Sequence, residues 1–217
     1  MVADFAEAET IFRKAQKATL TAVSLKMAGP NVCAVNLVFE GNFYEVVCEG
    51  FMTEGYLLDK AERLLANGKN IVVSGLKDML KVLHVEERTG IYDIDIANYL
   101  INPVVSVKPG EIDVLTVWKE FADAKKRLNE LGMWKLYTEM EMPLVFVLAS
   151  MEIAGVKMNA QALKEYGDAL AVKIAELEEK IYEQAGEKFN INSPKQLGVI
   201  LFEKMQLPGS KKTKTGY

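Results

Sequence analysis

The sequence predicts a mixed α/β domain followed by a segment that is almost entirely helical. Residues 1–102 alternate short apolar strands with amphipathic helices, which is typical of helices layered on a sheet. From Glu111 onward, apolar residues recur instead at intervals of three and four, which is the helical period. A loop over residues 104–110, with proline at both margins, is predicted to separate the two parts.

Composition excludes several classes of protein. Half of the 217 residues are apolar and 26% are charged, so the chain is not intrinsically disordered. The uncharged apolar run Pro143–Met151 is far shorter than the roughly 20 residues that a membrane-spanning helix needs. Residues 1–9 are acidic and contain no apolar segment, so a secretory signal is not expected. We therefore expect a cytoplasmic protein with no membrane partner.

The first elements of the chain are a helix and a β-hairpin. Residues 5–18 are rich in Ala, Glu, Lys and Gln and predict a helix. Alternating apolar residues over 20–27 and 32–39 predict strands, and residues 40–43 predict a turn. A coherent apolar face results from pairing Phe39 with Tyr44, Leu37 with Val46 and Val35 with Cys48.

Four further elements complete the α/β part. Their boundaries follow from capping residues, Asn-Gly and Asn-Pro stops, and short β-branched runs. They are a helix from Thr53 to Ala66, a strand over Ile71–Val73, a helix from Leu76 to Leu83 and a helix from Asp93 to Ile101.

Helices are predicted over 111–131, 135–154 and 160–185, and from the Ser193-Pro194 start to about Met205. The 160–185 helix carries a narrow apolar seam, which indicates an exposed helix paired with another helix. The seam consists of Leu163, Tyr166 or Gly167, Leu170, Ile174, Leu177 and Ile181. Its partner is expected to be the 135–154 helix or another part of the protein.

Most isolated residues with reactive side chains are interpreted as structural. Cys33 and Cys48 are taken as buried small apolar residues, with a disulfide as the alternative. His84, the single histidine, is interpreted as a surface residue. Asp93 and Asp95 could suggest Mg²⁺, but they stand at a helix start, where side chains two apart diverge and capping is the stronger interpretation.

Positive charge is concentrated at the end of the sequence. Residues 188–217 contain six Lys and one Glu, so they carry +5 while the rest of the chain carries −9. A solvated tail is one explanation. Lysines mixed with threonines also suit contact with phosphates. The residues concerned are Lys211, Lys212, Thr213, Lys214 and Thr215.

Several motifs resemble the middle of bacterial DNA polymerases of family A, in order and in spacing. The strongest are Glu141–Val145, Gly155–Lys157, Phe189–Leu197, Leu201–Lys204 and Lys211–Tyr217. Weaker matches over Lys17–Val23 and Tyr92–Pro103 resemble the 3′–5′ exonuclease domain of that family. The resemblance implies an RNase H-like exonuclease domain over residues 1–135. It also implies that residues 136–217 begin the polymerase domain and supply thumb helices.

The exonuclease motifs of the family are not preserved in this sequence. An active family member holds two divalent metals with four carboxylates, which suits the preference of Mg²⁺ for oxygen ligands. Alignment places the first two carboxylate positions at Ser24 and Lys26, the next at Met79, and the last motif near Val117 and Phe121. A lysine at such a position would repel a metal. We therefore expect a vestigial exonuclease domain that serves as a scaffold.

The resemblance also sets expectations for activity and partners. The parent protein would be a DNA-directed DNA polymerase of replication and repair, located at the nucleoid. Mg²⁺ would bind only in a palm domain that this chain lacks, so the chain alone is expected to contain no catalytic residue and no metal site. Because the sequence stops in a basic loop, a truncated chain is expected. Its partners would be the rest of the polymerase and duplex primer-template DNA, held by Lys211, Lys212, Thr213, Lys214 and Thr215.

Two alternatives of different classes stay open at this stage. One is a free-standing DNA-binding or scaffold protein of the same ancestry. The other is an active 3′–5′ exonuclease that uses other carboxylates. Metal-dependent release of nucleotides from single-stranded DNA would distinguish the second alternative from both other interpretations.

Overall fold

The computed structural model describes residues 1–104, 108 and 110–208. The chain divides into two compact units, residues 1–155 and residues 156–217. The first unit contains a five-stranded sheet with helices packed on it, and the second consists of helices in its described part. The predicted domain boundary after residue 135 rests on resemblance to a family and stays a prediction.

The sheet of the first unit is mixed and has the strand order β3-β2-β1-β4-β5. Strands β1, β2 and β3 form an antiparallel meander, and β4 and β5 extend the sheet in parallel to β1. The strands are β1 Thr21–Ala28, β2 Asn31–Phe39, β3 Asn42–Val47, β4 Ile71–Val73 and β5 Ile91–Asp93. Successive residues of β2, from Ala34 to Val35 and from Leu37 to Phe39, are buried, so both faces of its centre are covered.

Nine α-helices and two π-helical turns lie in the described residues. Their bounds are α1 Phe5–Lys17, α2 Glu54–Asn67, α3 Leu76–Met79, α4 Ile94–Ile101, α5 Val114–Glu130, α6 Trp134–Leu136, α7 Met142–Ala154, α8 Ala160–Ala185 and α9 Pro194–Gly198. The π-helical turns are Tyr137–Glu141 and Val199–Lys204. The predicted caps Thr53 and Ser193 are confirmed, because each side chain accepts a hydrogen bond from a backbone N–H in the first turn of its helix.

The predicted pairing of the hairpin is wrong by two residues. Leu37 pairs with Tyr44 and Val35 pairs with Val46, because the loop is only Glu40 and Gly41. Both loop residues have positive φ, 50° and 75°, which is characteristic of a tight two-residue turn whose twist matches that of the strands. A slip of two residues leaves every side chain on its predicted face.

Other predictions for the first unit also need correction. Strand β5 was not predicted, helix α3 ends at Met79 rather than at Leu83, and a π-helical turn interrupts the predicted 135–154 helix. Cys33 is half-buried and Cys48 is exposed, because they lie near the end of the hairpin away from its turn, and both thiols are free. Within the described residues, no helix is long and apolar enough to cross a bilayer.

Candidate functional site

Two of the predicted metal-ligand positions, Ser24 and Lys26, lie on strand β1 of the sheet. Ala22, Val72 and Tyr92 are partners on neighbouring strands and therefore point to the same face. The ring of Tyr92 lies 5.0 Å from the ring of Phe121, so α5 crosses this face. Ser24 follows Ala22 by two residues and points the same way.

Ser24 and Lys26 have partners within the sheet. The Ser24 hydroxyl accepts a hydrogen bond from Asn36 Nδ2 at 3.4 Å. Lys26 Nζ lies 2.6 Å from Glu45 Oε1 on β3. This hydrogen bond is the main reason why the pKa of Lys26 is raised and the pKa of Glu45 is lowered. The second predicted ligand position is therefore occupied by a cation that Glu45 of β3 neutralises.

The remaining predicted ligand positions belong to the hydrophobic core. Met79, Val117 and Phe121 are 8%, 2% and 4% exposed. Asp78, which precedes Met79, points away from the core and binds Lys81 Nζ at 2.7 Å. Asp78 is thus one residue away from the predicted position, and its carboxylate is directed to Lys81 instead.

The side chains on this face do not suit a divalent metal. Mg²⁺ needs several oxygen ligands, most of them anionic. The predicted ligand positions offer a neutral hydroxyl from Ser24, the ammonium group of Lys26, the thioether of Met79 and the ring of Phe121. Among residues 1–104, 108 and 110–208, no three His, Cys, Asp or Glu side chains cluster closely enough to hold a metal ion.

Asp93 ends β5 and caps α4, as its sequence position predicts. Its carboxylate accepts hydrogen bonds from the backbone N–H groups of Asp95, at 2.9 Å, and Leu76, at 2.7 Å. It is 3% exposed, and burial, reinforced by the nearby Asp95 carboxylate, raises its pKa to about 6. The hydroxyl of Tyr137 accepts from Asp93 N–H at 2.8 Å and donates to the Asp93 carbonyl at 2.9 Å.

Asp95 is directed toward different partners. The Ser74 hydroxyl lies 2.9 Å and 3.0 Å from its two carboxylate oxygens, and Gly110 N–H donates to it at 2.9 Å. The side chains of Asp93 and Asp95 were expected to diverge, and their carboxylates do bind different groups. Both carboxylates form hydrogen bonds that hold loops at the ends of β4 and β5, which is a structural role.

A cavity of about 870 Å³ adjoins these carboxylates, between α3, α4 and α7. Its walls include Tyr99, Ile101, Leu144 and Leu148, so they are largely apolar. It lies at the carboxyl ends of the parallel strands β4 and β5, where sheets of this kind usually bind ligands. The cavity was not predicted, because the three-residue strand β5 that borders it was not predicted.

Charged side chains link two of the helices that border this cavity. Glu152 of α7 binds Lys77 Nζ at 2.6 Å and Lys81 Nζ at 2.7 Å. These two hydrogen bonds lower the pKa of Glu152 to about 2, and the bonds to Asp78 and Glu152 raise the pKa of Lys81. The network fastens α3 to α7 but leaves all four side chains substantially exposed.

The predicted DNA-binding residues Lys211, Lys212, Thr213, Lys214 and Thr215 lie outside the described residues. Basic residues that precede them are described. Lys204 Nζ binds Glu187 at 2.6 Å, and Lys188 Nζ stands 6.0 Å from the ring centre of Tyr182. These two lysines therefore already have partners within the second unit.

Comparison with protein families and curated proteins gives a consistent result. The family model described as DNA polymerase family A matches residues 160–217. The sequence is 37% identical over 199 residues to DNA polymerase I of Bacillus caldotenax, covering 90% of this chain and 20% of the relative. It is 61% identical over 92 residues to DNA polymerase I of Bacillus subtilis strain 168, covering 42% of this chain and 10% of the relative.

Solved structures share the fold. The POL domain of Pol1 from M. smegmatis, in complex with DNA primer-template and dNTP, matches 99% of this chain and 42% of that chain. Its TM-score is 0.75 and its sequence identity 21%. The catalytic core of RRP6 from Trypanosoma brucei matches 66% of this chain and 50% of that chain, with a TM-score of 0.50 and 14% identity.

These matches show that the sequence is related to bacterial DNA polymerase I, of DNA polymerase family A. The chain spans between a tenth and a fifth of the length of the two curated relatives named above.

Proposed function

We propose that this chain is part of a DNA-directed DNA polymerase of family A that acts in DNA replication and repair. The observation that supports this proposal is the 37% identity to a DNA polymerase I over 199 residues, or nine-tenths of the chain. Nucleotidyl transfer and its Mg²⁺ ions belong, on this proposal, to the palm of the parent polymerase. The bacterial cytoplasm, and the nucleoid within it, would be the place of action.

Within that polymerase, the sheet domain acts as an exonuclease-like scaffold of the RNase H type. Support comes from its antiparallel meander extended by parallel strands, with α5 across one face, and from the fold shared with the RRP6 catalytic core. The ion pair between Lys26 and Glu45, and the burial of Met79 and Phe121, support a domain that does not hydrolyse DNA.

A nuclease assay tests the scaffold proposal. The chain is incubated with single-stranded DNA labelled at its 3′ end, with millimolar Mg²⁺ or Mn²⁺, beside a Ser24→Ala variant. We expect both proteins to release no nucleotide, because the face that contains Ser24 lacks the carboxylates that bind two metals. Release that persists through repurification and disappears on Ser24→Ala would overturn the proposal in favour of an active exonuclease.

Contact with duplex primer-template DNA is proposed for Lys211, Lys212 and Lys214, aided by the hydroxyls of Thr213 and Thr215. Because these side chains would contact phosphates, binding should be independent of base sequence. Three lysine contacts give a slope of roughly −3 in log K against log salt. Because the rest of the chain is strongly acidic, this segment is the main source of electrostatic attraction to DNA.

A matched pair of triple variants tests this DNA contact. Alanine at Lys211, Lys212 and Lys214 should remove most of the salt dependence measured by fluorescence anisotropy with duplex DNA. Alanine at Lys14, Lys17 and Lys69, which are exposed in the first unit, changes the net charge equally and should leave the slope near its original value. Equal losses in the two variants would show a general charge effect, and a loss confined to certain DNA sequences would show base recognition instead.

A further inference from the structure

The two cysteines of the sequence, Cys33 and Cys48, stand opposite each other at the open end of the hairpin. Ala34 pairs with Val47, so the same register places Cys33 against Cys48. The Cys48 N–H donates to the Cys33 carbonyl at 2.9 Å, which continues this pairing one residue beyond β3. Opposite residues of an antiparallel pair point to the same face of the sheet. Both thiols therefore project from one face of the hairpin.

The backbone spacing at such a position suits a disulfide. Opposite residues joined by ladder hydrogen bonds have Cα atoms about 5.5 Å apart, and disulfides form mostly at Cα separations of about 5.5–6 Å. The Cβ atoms of opposite residues lie about 4.5–5.5 Å apart, whereas a disulfide needs about 3.5–4.5 Å. The strands must therefore approach slightly. This adjustment is small for Cys48, which is exposed and follows the last residue of β3.

The present contacts of the two thiols do not oppose this approach. Cys33 Sγ lies 3.3 Å from the carbonyl oxygen of Lys26, and Cys48 Sγ lies 3.3 Å from that of Val32. Because a thiol is a weak hydrogen-bond donor, little is lost when both side chains rotate toward each other. In the described part of the chain, no cluster of three metal-ligating side chains includes these cysteines, so a zinc site is not the reason for their pairing.

We propose that Cys33 and Cys48 form a reversible disulfide that joins β2 to the segment after β3. The oxidant would be a low-molecular-weight disulfide of the glutathione class. The thiolate of one cysteine attacks this disulfide, forms a mixed disulfide and releases one small thiol. The second cysteine then attacks the mixed disulfide and releases the other small thiol. The protein loses two protons and two electrons, which the oxidant gains.

The rate of this exchange depends on how readily each thiol ionises, because only the thiolate attacks. Burial raises the pKa of the Cys48 thiol, and the nearby Cys33 sulfur and Glu54 carboxylate raise it further. Exchange is therefore expected to be slow at neutral pH. A decisive test measures the equilibrium after long incubation at about pH 8, where more thiolate is present.

Equilibration of the full chain in a buffer of reduced and oxidised glutathione, followed by acid quenching and mass spectrometry, tests the disulfide. The oxidised chain should lose two hydrogen atoms and both titratable thiols, and it should stay a single chain on a non-reducing gel. Glu40 and Glu45 lie between the cysteines, so cleavage after glutamate separates the two fragments unless a disulfide joins them. Fragments that separate only after reduction would confirm the bridge.

The matched control moves one thiol by one residue, by combining Cys48→Ser with Val47→Cys. Successive residues of a strand point to opposite faces, so this pair should take up glutathione on each cysteine instead of forming a bridge. The original pair should also form its bridge with an equilibrium constant at least about tenfold larger in the folded chain than in concentrated urea, because the sheet holds the two thiols close together.

Any of three results would overturn the proposal. The first is an original chain that keeps both thiols or takes up glutathione on both without forming a bridge. The second is a displaced pair that forms a bridge as readily as the original pair. The third is an equilibrium constant that is no larger in the folded chain than in urea. Fluorescence of Trp118 and Trp134, both in the first unit, checks that each variant is folded there.

Discussion

The first unit and helix α8 are both made of regular secondary structure, but they differ in what stabilises it. The first unit has a continuous hydrophobic core that runs from Val2 to Ala149. In contrast, α8 has a good N-cap at Asn159 and a glycine C-cap at Gly186, yet no buried side chain. Local capping signals therefore set where a helix begins and ends, whereas burial decides whether the element is stable without a partner.

The largest difference is expected for the same substitution placed in each region. Leu37→Ala in β2, where the side chain is fully buried, should lower the free energy of unfolding by about 4 kcal/mol. Leu177→Ala in α8, where the side chain is 57% exposed, should change it by less than about 0.5 kcal/mol. The reason is that only the first substitution leaves a cavity among packed atoms.

Urea unfolding followed by tryptophan fluorescence measures the effect of the first substitution, and far-UV circular dichroism, which reports on helices in both units, measures that of the second. Trp118 and Trp134 report on the first unit alone. The protein should be dilute, so that self-association does not contribute to the measured stability. Equal destabilisation by the two substitutions would mean that α8 is buried in solution, and the comparison between the regions would then fail.

The second effect concerns the buried carboxyl group of Asp93. Its pKa of about 6 in the folded chain exceeds its ordinary value of 3.8, so the folded chain binds this proton more tightly than the unfolded chain does. Stability from this group is complete below pH 4 and is lost as the pH rises through about 6. Since a shift of one pKa unit corresponds to 1.36 kcal/mol, the loss is about 3 kcal/mol.

Comparison with Asp93→Asn isolates this contribution from all other titrating groups. The stability of the original chain minus that of the variant should fall between pH 4 and pH 6 and be constant outside that range. Chemical denaturation at a series of pH values measures this difference. A difference that is independent of pH would show that Asp93 is not buried as described.

Elements with local signals were predictable from the sequence. Thr53, the Asn67-Gly68 stop and Ser193 fix helix ends through interactions a few residues apart, and the helices occur there. The hairpin face was predicted too, although its register required the positive φ of Glu40, a non-glycine residue that rarely adopts this conformation.

Features that depend on distant contacts were not predictable. Strand β5 has three residues and exists because Ile71, Val72 and Val73 pair with it. The π-helical turn at Tyr137–Glu141 lies where the Tyr137 hydroxyl reaches the backbone of Asp93, 44 residues earlier. The cavity beside Asp93 likewise needs α3, α4 and α7 together. Of the candidate site, the residue identities at Ser24, Lys26, Met79 and Phe121 and the capping role of Asp93 were accessible beforehand.

The smallest of the three effects tests whether the helical segment after residue 133 belongs to the cooperative first unit. Tyr137 is fully buried, and its hydroxyl satisfies both the N–H and the carbonyl of Asp93. Tyr137→Phe would leave both backbone groups without this partner inside the core, and should cost about 2 kcal/mol. Urea unfolding of this variant measures the loss. The matched control, Tyr99→Phe, removes a hydroxyl from a side chain that is 62% exposed and should have no clear effect.

The transition shape adds a second readout. If residues 134–154 share the core of the first unit, Tyr137→Phe should lower the midpoint while the slope and the single transition are preserved. If a boundary near residue 135 separates two independently stable domains, the variant should instead unfold in two steps. A single transition at the original midpoint would show that the bonds between Tyr137 and Asp93 add nothing to stability. The buried contact between Tyr137 and Asp93 would then contribute as little to the free energy of unfolding as the exposed side chains of α8 do.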